Sequence, residues 1–268
     1  MFKKKNVVNV VKLAGVISSS GAKALSLENT RKLIDKAFAN KKAAAVAFII
    51  NSPGGSPVQS EMIANYILHK AQESKIKTLA FIEEAAASGG YWLAVTADQI
   101  YALSKSSIVG SLGVVYAGFG LEEFIENHGI KRRVYTAGKH KVSLDMFQEE
   151  KPEDIARLKE MLAEVHKHFK EWVLKRRAAR IKIDLEKLFS GEFWVASQGL
   201  EYGLIDGISD LQVKLKELYG KNVEINFIAV KRSFLSKIPF LGVNNYDNLI
   251  DAMLNKLKAE VQWNKFGL

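Results

Sequence analysis

A serine set among small residues, Ala86-Ala87-Ser88-Gly89-Gly90-Tyr91, follows about thirty residues after the turn Asn51-Ser52-Pro53-Gly54-Gly55-Ser56-Pro57. Serine is a weak nucleophile until a base takes its proton, and the oxyanion formed at an attacked carbonyl needs fixed hydrogen-bond donors. Gly89 and Gly90 permit unusual backbone angles and a close approach of substrate behind Ser88. The N–H of Gly89, with that of Gly54 or Gly55, can face such an oxyanion. Losing one donor of this kind costs about 3–4 kcal/mol of transition-state stabilisation. Either motif alone has a plainer reading, as a β-turn or as a serine-capped helix start. Paired, they point to acyl transfer.

The sequence offers several bases. His69, His128, His140, His166 and His168 carry no local signature, and the last two, spaced by two, do not share a helix face. A lysine serves when burial disfavours its ammonium, and bringing one from about 10.4 to near 7 costs on the order of 4–5 kcal/mol. Thr136-Ala137-Gly138-Lys139-His140-Lys141-Val142-Ser143 supplies two candidates. Cysteine is absent, which excludes disulfides, thiolate metal sites and a thiol nucleophile. Glu83 and Glu84 read as loop charges. There is no phosphate-binding Gly-Lys-Ser/Thr loop and no His-Glu-x-x-His zinc helix, so neither cofactor nor metal is expected.

These residues need a frame. Val7–Ile17 reads as a buried strand, 29–38 as a helix and Ala44–Ile50 as a second strand ahead of the glycine turn. Met62, Ile63, Tyr66 and Ile67 keep a helical period, and Thr78–Ile82 leads as a strand towards Ser88. Ile100–Ala102, Val114–Ala117 and Arg133–Tyr135 read as further strands, with a helix at Leu121–Asn127. Pro152 opens a long helix whose stripe Ile155, Leu158, Leu162, Val165, Phe169 and Trp172 offers a core or oligomer face. Leu185–Gly207 reads as helical packing and Val223–Val230 as a late strand. The alternation predicts an α/β fold with a largely parallel sheet and its chemistry at strand C-termini. A domain over 1–232 is expected, followed by a tail over 233–268 whose segment Tyr246–Trp263 has an amphipathic pattern.

At 268 residues and 48% hydrophobic the chain can bury a full core. A net charge of +10 suits a solvated basic surface or peripheral contact with anionic membrane; nucleic acid is not expected as a partner. No apolar run approaches a membrane span of about 20 residues. The start of the chain reads as a strand, not a signal peptide. A cytoplasmic or peripheral location is expected.

Ile50-Asn51-Ser52-Pro53-Gly54-Gly55, Ala87-Ser88-Gly89-Gly90-Tyr91, Val109-Gly110-Ser111-Leu112-Gly113-Val114 and Gly138-Lys139-His140-Lys141 occur in that order. The set resembles the motifs of signal peptide peptidase A and its SohB relatives, from about Val7 to Val230. The resemblance implies a Clp protease/crotonase-like fold and a serine–lysine peptidase that attacks peptides, remnant signal peptides included. It implies Ser88 as nucleophile, Lys141 as general base, and Gly54 and Gly89 as oxyanion donors with Gly55 supporting the turn. It implies that Ser111 orients the lysine amine. In that family the lysine comes from another copy of the domain, so a single-copy chain is expected to form a homo-oligomeric ring. Two departures stand out. Many bacterial members carry an N-terminal membrane helix whereas this sequence opens at its first strand, and the link from Leu103 to Val109 is one residue longer than usual and lacks the customary proline. The competing readings are a crotonase-type acyl-CoA enzyme, which has no need of Ser88, and a non-catalytic scaffold docked on membrane through its tail.

Overall fold

The computed structural model describes residues 5–21, 24–229 and 260–267. Strand β1 (Val7–Ala14) is followed by α1 (Leu27–Ala39), β2 (Ala45–Ser52), α2 (Pro57–Ser74), β3 (Lys77–Ala87) and α3 (Gly89–Ala94). Then come β4 (Gln99–Ala102), β5 (Ile108–Gly110), α4 (Glu122–Asn127) and α5 (Pro152–Arg177). The chain continues through α6 (Leu185–Leu188), β6 (Phe193–Val195), α7 (Ala196–Glu201), β7 (Gly207–Ile208), α8 (Leu211–Tyr219) and β8 (Glu224–Phe227). Local chemistry starts and stops these elements. The Ser26 and Ser56 hydroxyls cap α1 and α2 by accepting from Asn29 N and Gln59 N, Pro57 opens α2, and Lys75 closes it in a left-handed conformation.

Residues up to Leu112 and from Trp172 form one compact unit, and Gly113–Glu171 form another. The first unit carries the eight strands of a single sheet, ordered β6-β5-β3-β2-β1-β8, with β7 and β4 branching from β3. Every pairing is parallel except β5 with β6, as the βα alternation requires. β2 is buried along almost its whole length, as a strand covered on both faces must be. On one face Val8, Val10, Ala47, Phe81 and Tyr101 pack with Leu211 and Leu215 of α8. Each large aliphatic side chain so buried contributes about 1.5–3 kcal/mol.

A buried guanidinium fixes the seam around β4 and β7. Arg177, 1% exposed, donates from Nη1 to Asp206 Oδ2 (2.8 Å) and from Nε and Nη2 to the Gly203 carbonyl (3.1 and 2.7 Å). The same Asp206 oxygen accepts from Ile100 N at 2.7 Å. Each of these side-chain contacts is charge-assisted, the condition under which a buried ion is tolerated.

The second unit has little core. Leu121 N donates to Met146 O (2.6 Å), Arg132 Nε pairs with Asp145 Oδ2 (3.0 Å), and α4 borders an open groove of about 480 Å³ lined by Ile125, Ile130 and Phe147. Val115, Phe119 and Tyr135 are 82%, 81% and 90% exposed.

The sequence expectations need four corrections. Val114–Ala117 and Arg133–Tyr135 are not strands: these short runs lie in the exposed second unit, where they have no ladder partner. Glu83 and Glu84 belong to β3, which continues past Ile82 to Ala87. Leu185–Gly207 is not helical throughout, because Phe193–Val195 pairs as β6 with β5. β1 stops at Ala14, where Gly15 turns with φ 107°. The tail expected from 233 lies outside the described residues apart from 260–267, where Phe266 meets Phe193 edge-on at 4.9 Å. No helix among the described residues is long and apolar enough to cross a membrane.

Candidate active site

β3 and β5 run side by side to the pair Ala87–Gly110, and the next residue of each, Ser88 and Ser111, leaves its strand with φ of 52° and 55°. Ser88 N donates to Gly110 O at 2.8 Å, and Ser111 N to Glu192 O at 2.6 Å. At ψ −121° Ser88 lies outside the left-handed helical basin, in backbone territory that costs a non-glycine residue about 1–3 kcal/mol. It occupies the N-cap position of α3 yet makes no side-chain cap hydrogen bond, while its carbonyl accepts from Tyr91 N and Trp92 N. The hydroxyl is therefore not committed to the helix, which removes the plainer reading of this serine as a cap.

The glycine turn lies directly against this bend. A methyl group built on Gly54 would fall 2.8 Å from Ser88 Cβ and 2.9 Å from Gly89 N, and Gly54 has φ 100°. Only glycine lets the two segments approach so closely. A methyl on Gly89 would run into Ser60 Oγ, whose residue is fully buried at the first turn of α2. The turn is pinned from β1: Ile17 N donates to Gly54 O and Ser56 N to Ile17 O, both at 2.8 Å, so that Gly55 pairs with Ile17. Ser52 Oγ accepts from Gly54 N at 3.2 Å and donates to Gly15 O at 2.7 Å. The Gly54 N–H thus has an internal acceptor, a detail that motif spacing did not reveal. Spacing was also silent on Trp194, whose ring would lie 2.8 Å from a methyl built on Gly110 and so backs the turn into Ser111.

Ser88, Gly54, Gly55, Gly89 and Ser111 all belong to the first unit; Lys141 belongs to the second. Lys141 is exposed, in a turn closed by its own N–H donating to Gly138 O at 3.1 Å, and Lys139 is exposed beside it. The flanking residues fasten this loop to the start of α5. Ser143 Oγ bonds Asp154 Oδ1 (3.2 Å), His140 Nε2 faces Arg157 Nη1 (3.3 Å), and Arg157 pairs with the buried Asp154. Neither tie was read from the sequence; both come from residues one helical turn apart at the start of α5. Among the described residues no three His, Asp or Glu side chains gather as they would around a metal ion.

A mostly parallel sheet in which a glycine turn after one strand lies beside a strained strand-to-helix bend after the next marks the chain as an α/β protein of the Clp protease/crotonase type. Comparison with known proteins is more specific. The profile of Peptidase family S49 matches residues 70–224, which include Ser88, Ser111 and Lys141 but not the glycine turn. The chain is 30% identical over 264 residues to "Probable protease SohB" of Haemophilus influenzae, covering 97% of this chain and 71% of that one. It is 29% identical over 186 residues to "Putative protease MJ0651" of Methanocaldococcus jannaschii, covering 69% and 58%. It is also 43% identical over 273 residues to a Brucella abortus protein named "Na(+)/H(+) antiporter NhaA", covering 97% of this chain but only 37% of that protein's length. The chain belongs to Peptidase family S49.

Proposed function

We propose that the chain is a serine endopeptidase acting through an acyl-enzyme on Ser88, with Lys141 of a neighbouring copy as general base. The observation that carries this reading is the contact of Gly54 with Ser88 and Gly89: it sets candidate donors beside a serine whose hydroxyl does not cap its helix. The Lys141 amine, in its neutral form, takes the proton from Ser88 Oγ as that oxygen attacks the peptide carbonyl carbon. The oxyanion faces the N–H of Gly89 and that of Gly55 or, once released from Ser52 Oγ, that of Gly54. Collapse breaks the C–N bond, and the lysine ammonium returns its proton to the leaving amine. A water molecule, deprotonated by the same amine, then attacks the ester and releases Ser88 and the carboxylate product. Ser111, one strand over from Ser88, orients the lysine.

A lysine base must be desolvated to be neutral near pH 7. In the single chain Lys141 is exposed, and the stripe Ile155, Leu158, Leu162 and Val165 on the helix behind its loop is only half-buried. Both features support a ring in which copies cover one another and share sites. By the same reading the substrates are extended peptides, unfolded or membrane-derived, remnant signal peptides among them. The peptidase domain ends near residue 232, and a tail from 233 makes peripheral membrane contact.

The test is complementation. Ser88→Ala and Lys141→Ala should each abolish peptide hydrolysis, and a mixture of the two should regain part of it. Full activity in either single variant would overturn the dyad.

A further inference from the structure

β2 and β3 fall out of step just before the site. Ile50 pairs with Ile82, but the next matched pair is Ser52 with Ala86, so β3 holds two more residues than β2 across the same interval. The excess is even, so the inside–outside alternation survives and Ala85–Ala87 stay buried. β3 also changes its other neighbour here, from β4 up to Ile82 to β5 from Ala85 onward. Such a bulge strips backbone groups of their ladder partners, and a buried N–H or carbonyl must then find another.

Two side chains supply those partners. Asn51 Oδ1 accepts from Ala85 N at 3.2 Å, while Asn51 Nδ2 donates to Glu84 Oε2 at 3.1 Å. Ser107 Oγ donates to Glu83 O at 2.5 Å and accepts from Ser104 N at 3.3 Å. Asn51 itself is held in register, since Gly15 N donates to its carbonyl at 2.9 Å. From Lys12 on β1, Nζ pairs with Glu83 Oε2 at 2.7 Å, leaving Glu84 to the Asn51 amide.

We infer that Asn51 and Ser107 form a polar clamp that fixes the two-residue excess of β3, and that they are thereby positioning residues for Ser88. The inference rests on the reading of Ser88 as nucleophile. Without the clamp, the buried Ala85 N–H and the Glu83 carbonyl lose their partners, and β3 relaxes towards the even register. That relaxation draws Ser88 away from Gly54. The clamp also gives the long link between Leu103 and Val109 a purpose, because Ser107 sits within it. Asn51 is suited to the task because its amide both accepts and donates. An aspartate there would still accept from Ala85 N but would set one carboxylate against another at Glu84.

The experiment measures the rate at which a fluorophosphonate labels Ser88, with peptide kcat and KM and the thermal unfolding midpoint, in the full chain and four variants. N51A should slow labelling by about 10- to 100-fold and lower kcat with KM within about twofold, the signature of a displaced nucleophile. N51D should be equally slow at pH 8 and, compared with the parent at each pH, should recover part of that deficit towards pH 5, as the paired carboxylates come to share a proton. E84Q, which leaves Ala85 N bonded to Asn51, should label within about twofold of the parent. N51D/E84Q rebuilds the bond with donor and acceptor exchanged and should return to within about threefold. If N51A fails to fold, the last three variants still decide. Parent-like labelling by N51A, or an N51D/E84Q variant no faster than N51D, would overturn the clamp. Absence of labelling in the parent chain would overturn the Ser88 reading instead. Recovery of the unfolding midpoint in N51D/E84Q relative to N51D would then still decide whether the clamp exists.

Discussion

The bend that carries Ser88 is held from every side, whereas the loop that carries Lys141 is held from one. Around Ser88, β5 supplies the Gly110 carbonyl, α3 takes up the serine carbonyl, the glycine turn touches its Cβ, and the neighbouring Ala86 and Ala87 are fully buried. Around Lys141 the ties among the described residues run through His140 and Ser143 to the start of α5, and the surrounding unit leaves Phe119 and Tyr135 in solvent. Under the function proposed for the two residues, the contrast follows from what each group must do. A nucleophile held at an unfavourable backbone angle needs a packed core to enforce it, because the strain would otherwise relax. A base on a mobile side chain needs only a loop of the right reach, and under the reading above a second copy of the chain completes its surroundings.

The comparison can be broken most decisively at the two residues themselves. Ser88→Ala should lower kcat/KM by roughly 10⁶-fold, as should Lys141→Ala, and only a mixture of the two should recover activity in a peptide-hydrolysis assay. Next in size is Gly54→Ala, whose methyl meets Ser88 Cβ and Gly89 N. It should cost about 10²–10³ in kcat, with far-ultraviolet circular dichroism unchanged. On the lysine side, Ser143→Ala should reduce kcat only about tenfold, because one tie of two remains through His140 and Arg157. A larger loss from Ser143→Ala than from Gly54→Ala would invert the ranking of the two regions. The smallest effect lies between α1 and α2. The Tyr66 hydroxyl bonds Asp35 Oδ1 at 2.6 Å and, with Lys70, holds that carboxyl below its ordinary range. A depressed carboxyl adds stability above its unfolded pKa, and the contribution fades as pH falls through the folded one. Tyr66→Phe should therefore cost about 1 kcal/mol or less near neutrality, and the cost should vanish in acid unfolding curves.

Much of this contrast was legible before any coordinates. The strand before the glycine turn announces itself as an apolar run stopped by Pro-Gly-Gly, the strand leading to Ser88 only as far as Ile82, and the helix from Pro152 by its proline, acidic first turn and apolar stripe. What periodicity could not give was pairing. Val114–Ala117 has the composition of a strand but no neighbour, while Phe193–Val195, three residues inside a helical-looking stretch, becomes a strand because β5 offers it an edge. The glycine turn and Ser88 were expected to cooperate, but the two-residue excess that brings them together depends on Asn51, Ala85 and Ser107. Those three are far apart in sequence and form no repeating pattern. Their geometry exists only after the sheet has assembled.

The edge strand β8 has a consequence for how the chain comes into being. Val7 pairs with Glu224, so β1 emerges from the ribosome about two hundred residues before the strand that covers its outer side. Until then a long hydrophobic strand presents an open edge, a template for pairing with other nascent chains. A chain cut short ahead of residue 224 would keep Ser88 and Gly54 yet leave that edge permanently bare. Translation pausing or chaperone capture in this interval bears on yield more than on the chemistry of the finished site.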